Sequence, residues 1–107
     1  MLSRMDWTPS EKKIARRVFE MALAEELAEV MAEFKRRAAA AAEPADLWAI
    51  EDDLRRTRRD IDAKYDFRYS QLILLFGGLL RAGRIAEAQL AGLSEEKLAA
   101  IRRVASM

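Results

Sequence analysis

The chain has 107 residues, of which 51% are hydrophobic and 35% are charged, and its 19 basic and 18 acidic side chains leave a formal net charge of +1. It contains neither Cys nor His, which excludes disulfides, thiolate nucleophiles, imidazole acid–base catalysis and the usual zinc and haem ligands. The near-zero net charge gives no overall attraction to nucleic acid or anionic membrane. Few Gly and Pro in a sequence rich in helix formers predict an all-α fold.

The first predicted helix is long and covers residues 9–42. Thr8 is placed to cap it, Pro9 suits its first position, and Glu11 stands where a capping box needs a carboxylate. At 1.5 Å per residue the helix would be about 50 Å long, whereas a compact domain of this size is only about 35 Å across. Part of the helix is therefore expected to expose apolar side chains that need a partner.

A closed two-fold homodimer is the expected way to cover those side chains. The alternative is a monomer in which the helix breaks near Arg36 and folds back. The dimer contact is predicted at apolar positions of the first helix and one position of the second, namely Phe19, Leu23, Leu27, Val30, Met31, Phe34 and Leu47.

Apolar periodicity and the placement of Pro, Gly and Ser predict four further helices, at 44–65, 69–82, 84–91 and 94–104. Pro44 opens the first of these, Gly83 follows the next, and Ser94 caps the last. The helix at 69–82 is apolar nearly all round, which is typical of a central core helix. Gly77 and Gly78 lie inside it, so close backbone packing or a bend is expected there.

These elements predict a single domain over residues 1–107, with a stalk at 9–65 and a compact helical head at 66–107. The longest apolar run, Leu72–Leu80, is far shorter than the roughly 20 residues that span a bilayer. The start of the chain lacks the apolar region of a secretory signal. We therefore expect a cytoplasmic protein without a membrane partner.

The most distinctive part of the second predicted helix is an aromatic residue close to charged ones. Trp48 and Asp52 are one turn apart, and Arg58 borders the same face. An aromatic anchor beside a carboxylate and a guanidinium is a mixture typical of interface hot spots. The residues alone favour a simpler interpretation, in which Trp48 packs against the first helix and the charges form solvated pairs.

Two basic runs, Arg55–Arg59 and Lys35–Arg37, raise the possibility of a nucleic-acid binder. Acidic residues are interleaved with these arginines, so local pairing argues against that function. The carboxylates also lack the Glu-x-x-His pairs of di-metal bundles, and there is no phosphate-binding glycine loop. We expect no enzymatic activity, no cofactor, no metal and no nucleic-acid partner.

The Asp46-Leu-Trp48 start of this segment, its arginine-rich middle and its Asp60–Arg68 ending together resemble the fluorescence recovery protein family. The resemblance continues through Trp7, Phe76 and Gly83 and so covers nearly the whole chain. It implies a homodimeric helical regulator that binds the carboxy-terminal domain of light-activated orange carotenoid protein. Such a regulator speeds the return of its partner to the inactive orange state without bond chemistry.

The resemblance implies that Trp48, Asp52 and Arg58 form the partner-binding patch, with Glu51 beside them. Glu51 departs from the family pattern, which has a His at this position. In the alternative interpretation the protein has the same fold and forms the same dimer, but it binds a different protein partner (its client) in a bacterium that lacks orange carotenoid protein.

Two further departures fall in the predicted head. Leu74 replaces an aromatic residue of the family, and Ala100 aligns with a Lys that is associated with activity. Lys97 lies close to that position in the sequence. We expect Leu74 and Lys97 to be the contacts that the head makes with the partner.

Overall fold

The computed structural model describes residues 6–107, and this part of the chain is mainly α-helical, which confirms the predicted fold class. Its elements, in chain order, are α1 at Pro9–Ala40, α2 at Pro44–Lys64, α3 at Tyr69–Arg81, a 3-10 turn at Glu87–Leu90 and α4 at Glu95–Ala105. The predicted boundaries of the four α-helices lie within two residues of these. α1 continues through Arg36 without a break.

The prediction of a short α-helix at 84–91 is wrong, because only the 3-10 turn at Glu87–Leu90 forms in this segment. Gly83 ends α3 with φ +73°, and the N–H of Arg84 donates to the Leu79 carbonyl at 2.9 Å. Ile85 and Leu90 are both buried. Side chains five positions apart lie about 140° apart around an α-helix, so a regular helix could not bury both against the same core.

The chain divides into two compact units. The first joins the residues up to Ala22 with Asp66–Met107, and the second is Leu23–Tyr65. The first turns of α1 thus belong to the same unit as the predicted head. No helix within residues 6–107 combines the length and apolar character needed to cross a bilayer.

The start of α1 is capped as predicted. The N–H of Glu11 donates to Thr8 Oγ1 at 3.1 Å, and the N–H of Thr8 donates to Glu11 Oε1 at 3.0 Å. This reciprocal pair satisfies two of the backbone donors that a helix start leaves open. Ser94 caps α4 in the same way, since it accepts the N–H of Lys97 at 3.2 Å.

α3 is the central helix of the first unit, as its composition predicted. Leu72, Phe76 and Leu79 are fully buried. They form the core with apolar side chains from α1, the 84–93 segment and α4, namely Ala15, Val18, Phe19, Ile85, Leu90, Leu93 and Ile101. The core therefore depends on close packing between α3 and its neighbours.

The two glycines of α3 should respond in opposite ways to substitution by Ala. A Cβ on Gly77 would lie 2.4 Å from the Cβ of Val104, whereas a Cβ on Gly78 would meet nothing within 4 Å. We expect Gly77→Ala to lower the free energy of unfolding by about 1–3 kcal/mol, and Gly78→Ala to raise it by up to about 1 kcal/mol through helix propensity. Urea unfolding at equal protein concentration measures both, and equal effects would contradict this account of Gly77.

The second unit consists of the later turns of α1 and the whole of α2. Within it Ile50 and Ile61 are buried along α2. The hydroxyl of Tyr65 donates to Glu26 Oε1 at 2.6 Å, and Lys64 Nζ donates to the same oxygen at 2.5 Å. These bonds attach the end of α2 to α1.

Candidate functional site

The candidate interaction patch begins at the first turn of α2. Pro44 occupies an opening position of the helix, where its missing N–H costs nothing. The Asp46 carboxylate accepts the N–H groups of Ala42 at 2.9 Å and Glu43 at 3.1 Å. These bonds lower the pKa of Asp46, because they favour its ionised form. They also fix the turn that carries the next two side chains, Leu47 and Trp48.

Trp48 is the largest exposed apolar side chain of the patch. Its relative exposure is 62%, so the protomer does not pack it against α1 as the simpler interpretation required. Asp52, one turn later on the same face, is also exposed, and within the described residues no cation pairs with it. An indole beside an unpaired carboxylate is an accessible pair of groups that another protein could contact.

Arg58 borders the face of this pair, as the sequence spacing predicts. It is about 15 Å along the helix axis from Trp48 and about 80° round from it. Its guanidinium is highly exposed and lies 3.7 Å from Asp62. The structure thus brings Trp48 and Asp52 together and places Arg58 at the edge of an elongated patch.

Glu51 contributes a charge pair to the patch. Its carboxylate accepts a hydrogen bond from Arg55 Nη2 at 2.6 Å, and both side chains are more than half exposed. A pair of this kind adds little stability, since water competes for both groups. The pair does affect the local charge, because Arg55 balances the carboxylate of Glu51, which lies next to Asp52 in the sequence.

The arginine-rich part of α2 is largely neutralised by its own acids. Asp53 accepts hydrogen bonds from Arg37 at 2.7 Å and Arg56 at 3.1 Å. The bond from Arg37 is the main reason why the pKa of Asp53 lies below its usual value. Because these cations already have partners, this stretch does not form a continuous basic surface.

The predicted dimer contacts fall into three groups by exposure. Leu27, Met31, Phe34 and Leu47 of the second unit are exposed, with 58% for Met31 and 51% for Leu47, whereas Leu23 and Val30 are half-buried. Phe19 is buried in the first unit, where its ring meets that of Phe67 edge-on at 4.9 Å. Phe19 is therefore a core residue and offers almost no surface to a second copy.

The two head contacts expected from the sequence also differ. Leu74 is more than half exposed on α3. Lys97 is only 1% exposed, which corrects the expectation that it reaches a partner at the surface. Its Nζ donates to the Asp6 carbonyl at 2.7 Å and to Glu11 Oε1 at 3.2 Å, and it lies 5.0 Å from the centre of the Trp7 ring. Ala100 is buried as well.

Glu11 and Lys97 form a buried polar pair that sequence reasoning did not find. The second oxygen of Glu11 accepts the N–H of Ser94 at 2.8 Å, so that one carboxylate contacts the starts of both α1 and α4. Only the capping pattern around Thr8 indicated part of this role. Within residues 6–107 there is no cluster of three or more acidic residues arranged to hold a metal ion.

Comparison with known proteins shows which proteins the chain resembles. The family model described as "Photoprotection regulator fluorescence recovery protein" matches residues 7–105. The chain is 32% identical to the fluorescence recovery protein of Synechocystis over 101 residues, which cover 94% of this chain and 93% of that protein. Solved structures of the fluorescence recovery proteins of Fremyella diplosiphon and Synechocystis superpose with TM-scores of 0.90 at 29% and 31% identity, and each covers 95% of this chain and all of its own.

Proposed function

The chain belongs to the fluorescence recovery protein family of photoprotection regulators, and we propose that it is a cytoplasmic, non-enzymatic homodimer that binds orange carotenoid protein. Its target in this proposal is the carboxy-terminal domain of the light-activated form, whose return to the inactive orange state it accelerates. The observation that carries the proposal is the exposed indole of Trp48 beside the unpaired Asp52.

The dimer part of the proposal is supported by the apolar surface of the second unit. Leu27, Met31 and Phe34 of α1 and Leu47 of α2 are exposed, although a monomer gains nothing by holding them in water. A two-fold interface that contains these side chains would remove them from water in both copies. A dimer also presents two copies of the Trp48 patch.

Acceleration requires selective binding rather than bond chemistry. A regulator speeds the closing of its partner only if it binds the conformations on the way back more tightly than the open one. Each tenfold gain in rate takes about 1.4 kcal/mol of such selectivity. A single aromatic anchor with flanking charges can supply energies of this order.

We expect Trp48→Ala to weaken binding of light-activated orange carotenoid protein by at least about 30-fold, since central aromatic anchors dominate interface energies. The recovery from red to orange should slow to nearly its spontaneous rate. Size-exclusion comigration and the absorbance change in the dark measure the two effects. Lys35→Ala, an exposed residue of the same unit outside the patch, is the control. A Trp48→Ala protein as active as this control would refute the placement of the patch.

The alternative client is favoured by one observation, the Glu51–Arg55 pair, which adds a second carboxylate next to Asp52. In that case the unchanged chain would neither comigrate with activated orange carotenoid protein nor shorten its recovery. The source genome gives an independent check, because an encoded orange carotenoid protein supports the first proposal and its absence supports the second.

A further inference from the structure

The first turns of α1 carry a row of exposed cations. Lys12, Lys13, Arg16 and Arg17 are exposed and lie within about 140° of the helix circumference. The buried side chains Ala15 and Val18 lie on the opposite side. We refer to these four cations as the basic stripe. All of them belong to the first unit of the chain.

The basic stripe is unusual in this molecule because its charges are largely unpaired. Arg16 is 4.0 Å from Glu20, and both side chains are more than half exposed. Lys12, Lys13 and Arg17 have no ion-pair partner within residues 6–107. Elsewhere most arginines pair with a carboxylate, as in Arg36–Glu33, Arg37–Asp53, Arg55–Glu51, Arg56–Asp53, Arg68–Asp66 and Arg102–Glu87. The stripe is thus a local excess of positive charge on a nearly neutral protein.

Aromatic rings line the edge of the basic stripe. The Arg16 guanidinium lies 3.6 Å from the centre of the Phe67 ring, and Lys12 Nζ lies 5.1 Å from the centre of the Tyr69 ring. Trp7 packs against Tyr69 with ring centres 5.7 Å apart. Cation–π contacts hold the two cations at this edge without neutralising them, so their charges stay available to a partner.

An open cleft adjoins these rings. Its volume is about 480 Å³, and it is lined by Asp6, Trp7, Lys12, Tyr69 and Ser70. The space beside the two rings is large enough for one aromatic or branched aliphatic side chain. Lys12 belongs to both the cleft and the stripe, which makes the two features one continuous surface.

We propose that the basic stripe and the cleft form a docking surface for an acidic protein segment. Carboxylates of the segment pair with the stripe, and one of its apolar side chains enters the cleft. In an extended segment alternate side chains repeat at about 6.8 Å, close to the rise of about 6 Å between Lys12 and Arg16 or between Lys13 and Arg17. The surface uses no residue of the Trp48 patch, so this inference goes beyond the function proposed above.

Nucleic acid fits this surface less well. The electrostatic gain on a phosphate backbone grows with the number of phosphates that are neutralised, and the stripe provides only four cations over little more than one helical turn. Asp6, an acidic residue, also lines the cleft. A protein segment can avoid that charge with an apolar side chain, while a phosphate chain has no such option.

The test uses Trp48→Phe protein, in which Trp7 is the single remaining indole. The probe is a peptide with one phenylalanine between two runs of three glutamates. We expect saturable quenching or a shift of Trp7 emission with a Kd below about 1 mM at low salt, and weaker binding as salt rises. A peptide with alanine in place of phenylalanine should bind about tenfold more weakly, because it leaves the cleft empty. Absence of a saturable Trp7 response would overturn the proposal.

Matched charge reversals locate the site. Lys13→Glu with Arg17→Glu should weaken peptide binding by at least about tenfold, since both cations become repulsive. Lys35→Glu with Arg59→Glu changes the net charge by the same amount at exposed positions of the second unit and should change affinity less than about twofold. Equal losses of peptide affinity in the two double variants would refute the proposed site. Tighter binding of a duplex DNA than of the peptide would overturn the choice of partner.

Discussion

Lys97→Met should lower the free energy of unfolding by about 3–5 kcal/mol, because it leaves the charge of a buried carboxylate without its counter-ion. Glu11 is 4% exposed and would keep only its bonds from the N–H groups of Thr8 and Ser94. Methionine fills most of the volume of lysine, so that loss of charge rather than loss of packing dominates. Urea unfolding followed by circular dichroism measures the change, at one fixed protein concentration because the protein is proposed to be a dimer.

Two variants test this reason for the loss. The double change of Lys97→Met with Glu11→Gln should recover most of the lost stability, because neither remaining group carries a charge that needs a partner. Lys35→Met removes the same charge at an exposed position and should leave unfolding unchanged. If the single and double variants were equally unstable, packing rather than charge would explain the effect.

The same pair predicts a pH dependence. Burial alone would raise the pKa of Glu11, but hydrogen bonds from Thr8, Ser94 and Lys97 outweigh it and hold the pKa below its usual value. Glu11 therefore adds stability above its unfolded pKa of about 4.3, and this stability is lost as the pH falls through the lower, folded pKa. Without Lys97 the folded pKa rises towards the unfolded value, so we expect the acid loss of stability in Lys97→Met to be smaller and to be complete at a higher pH.

The helix boundaries were predictable because they depend on local chemistry. Thr8 with Glu11, Pro44, Gly83 and Ser94 each act on backbone groups within a few residues, so the sequence contains all that is needed. The segment at 84–91 was not predictable in the same way. Its conformation follows from the burial of both Ile85 and Leu90, which is a property of the surrounding core.

The site residues were harder to place because their environment is set by distant parts of the chain. Phe19 fits the apolar stripe of α1, but its ring is covered by Phe67, far along the sequence. Lys97 looks like a surface charge until its pairing with Glu11, 86 positions away, is known. The resemblance to a family indicated Trp48 and Asp52, whereas the residues alone favoured a packed Trp48.

Met31→Glu and Leu47→Glu should each convert the proposed dimer into monomers. Both side chains are more than half exposed in the protomer, so the substitutions place a carboxylate in water while the chain is alone. In the dimer the same carboxylate would enter an apolar interface without a partner, which costs several kcal/mol, about 2–7 by transfer measurements for polar groups and more for a charge. Because the closed interface contains each position twice, the cost is doubled. Light scattering at micromolar concentration should then report the mass of one chain, 12.2 kDa.

Ala88→Glu provides the matched control, since it adds the same charge at an exposed position of the first unit. The Ala88→Glu protein should still scatter as a dimer, with twice the mass of one chain. The monomeric variants should keep their helical circular dichroism at moderate protein concentration, because the capped first unit does not use the altered residues. If the unchanged chain itself scattered as a monomer, Leu27, Met31, Phe34 and Leu47 would be an uncovered face, and the proposed dimer would be wrong. Unchanged mass in both Glu variants would instead move the interface away from these residues.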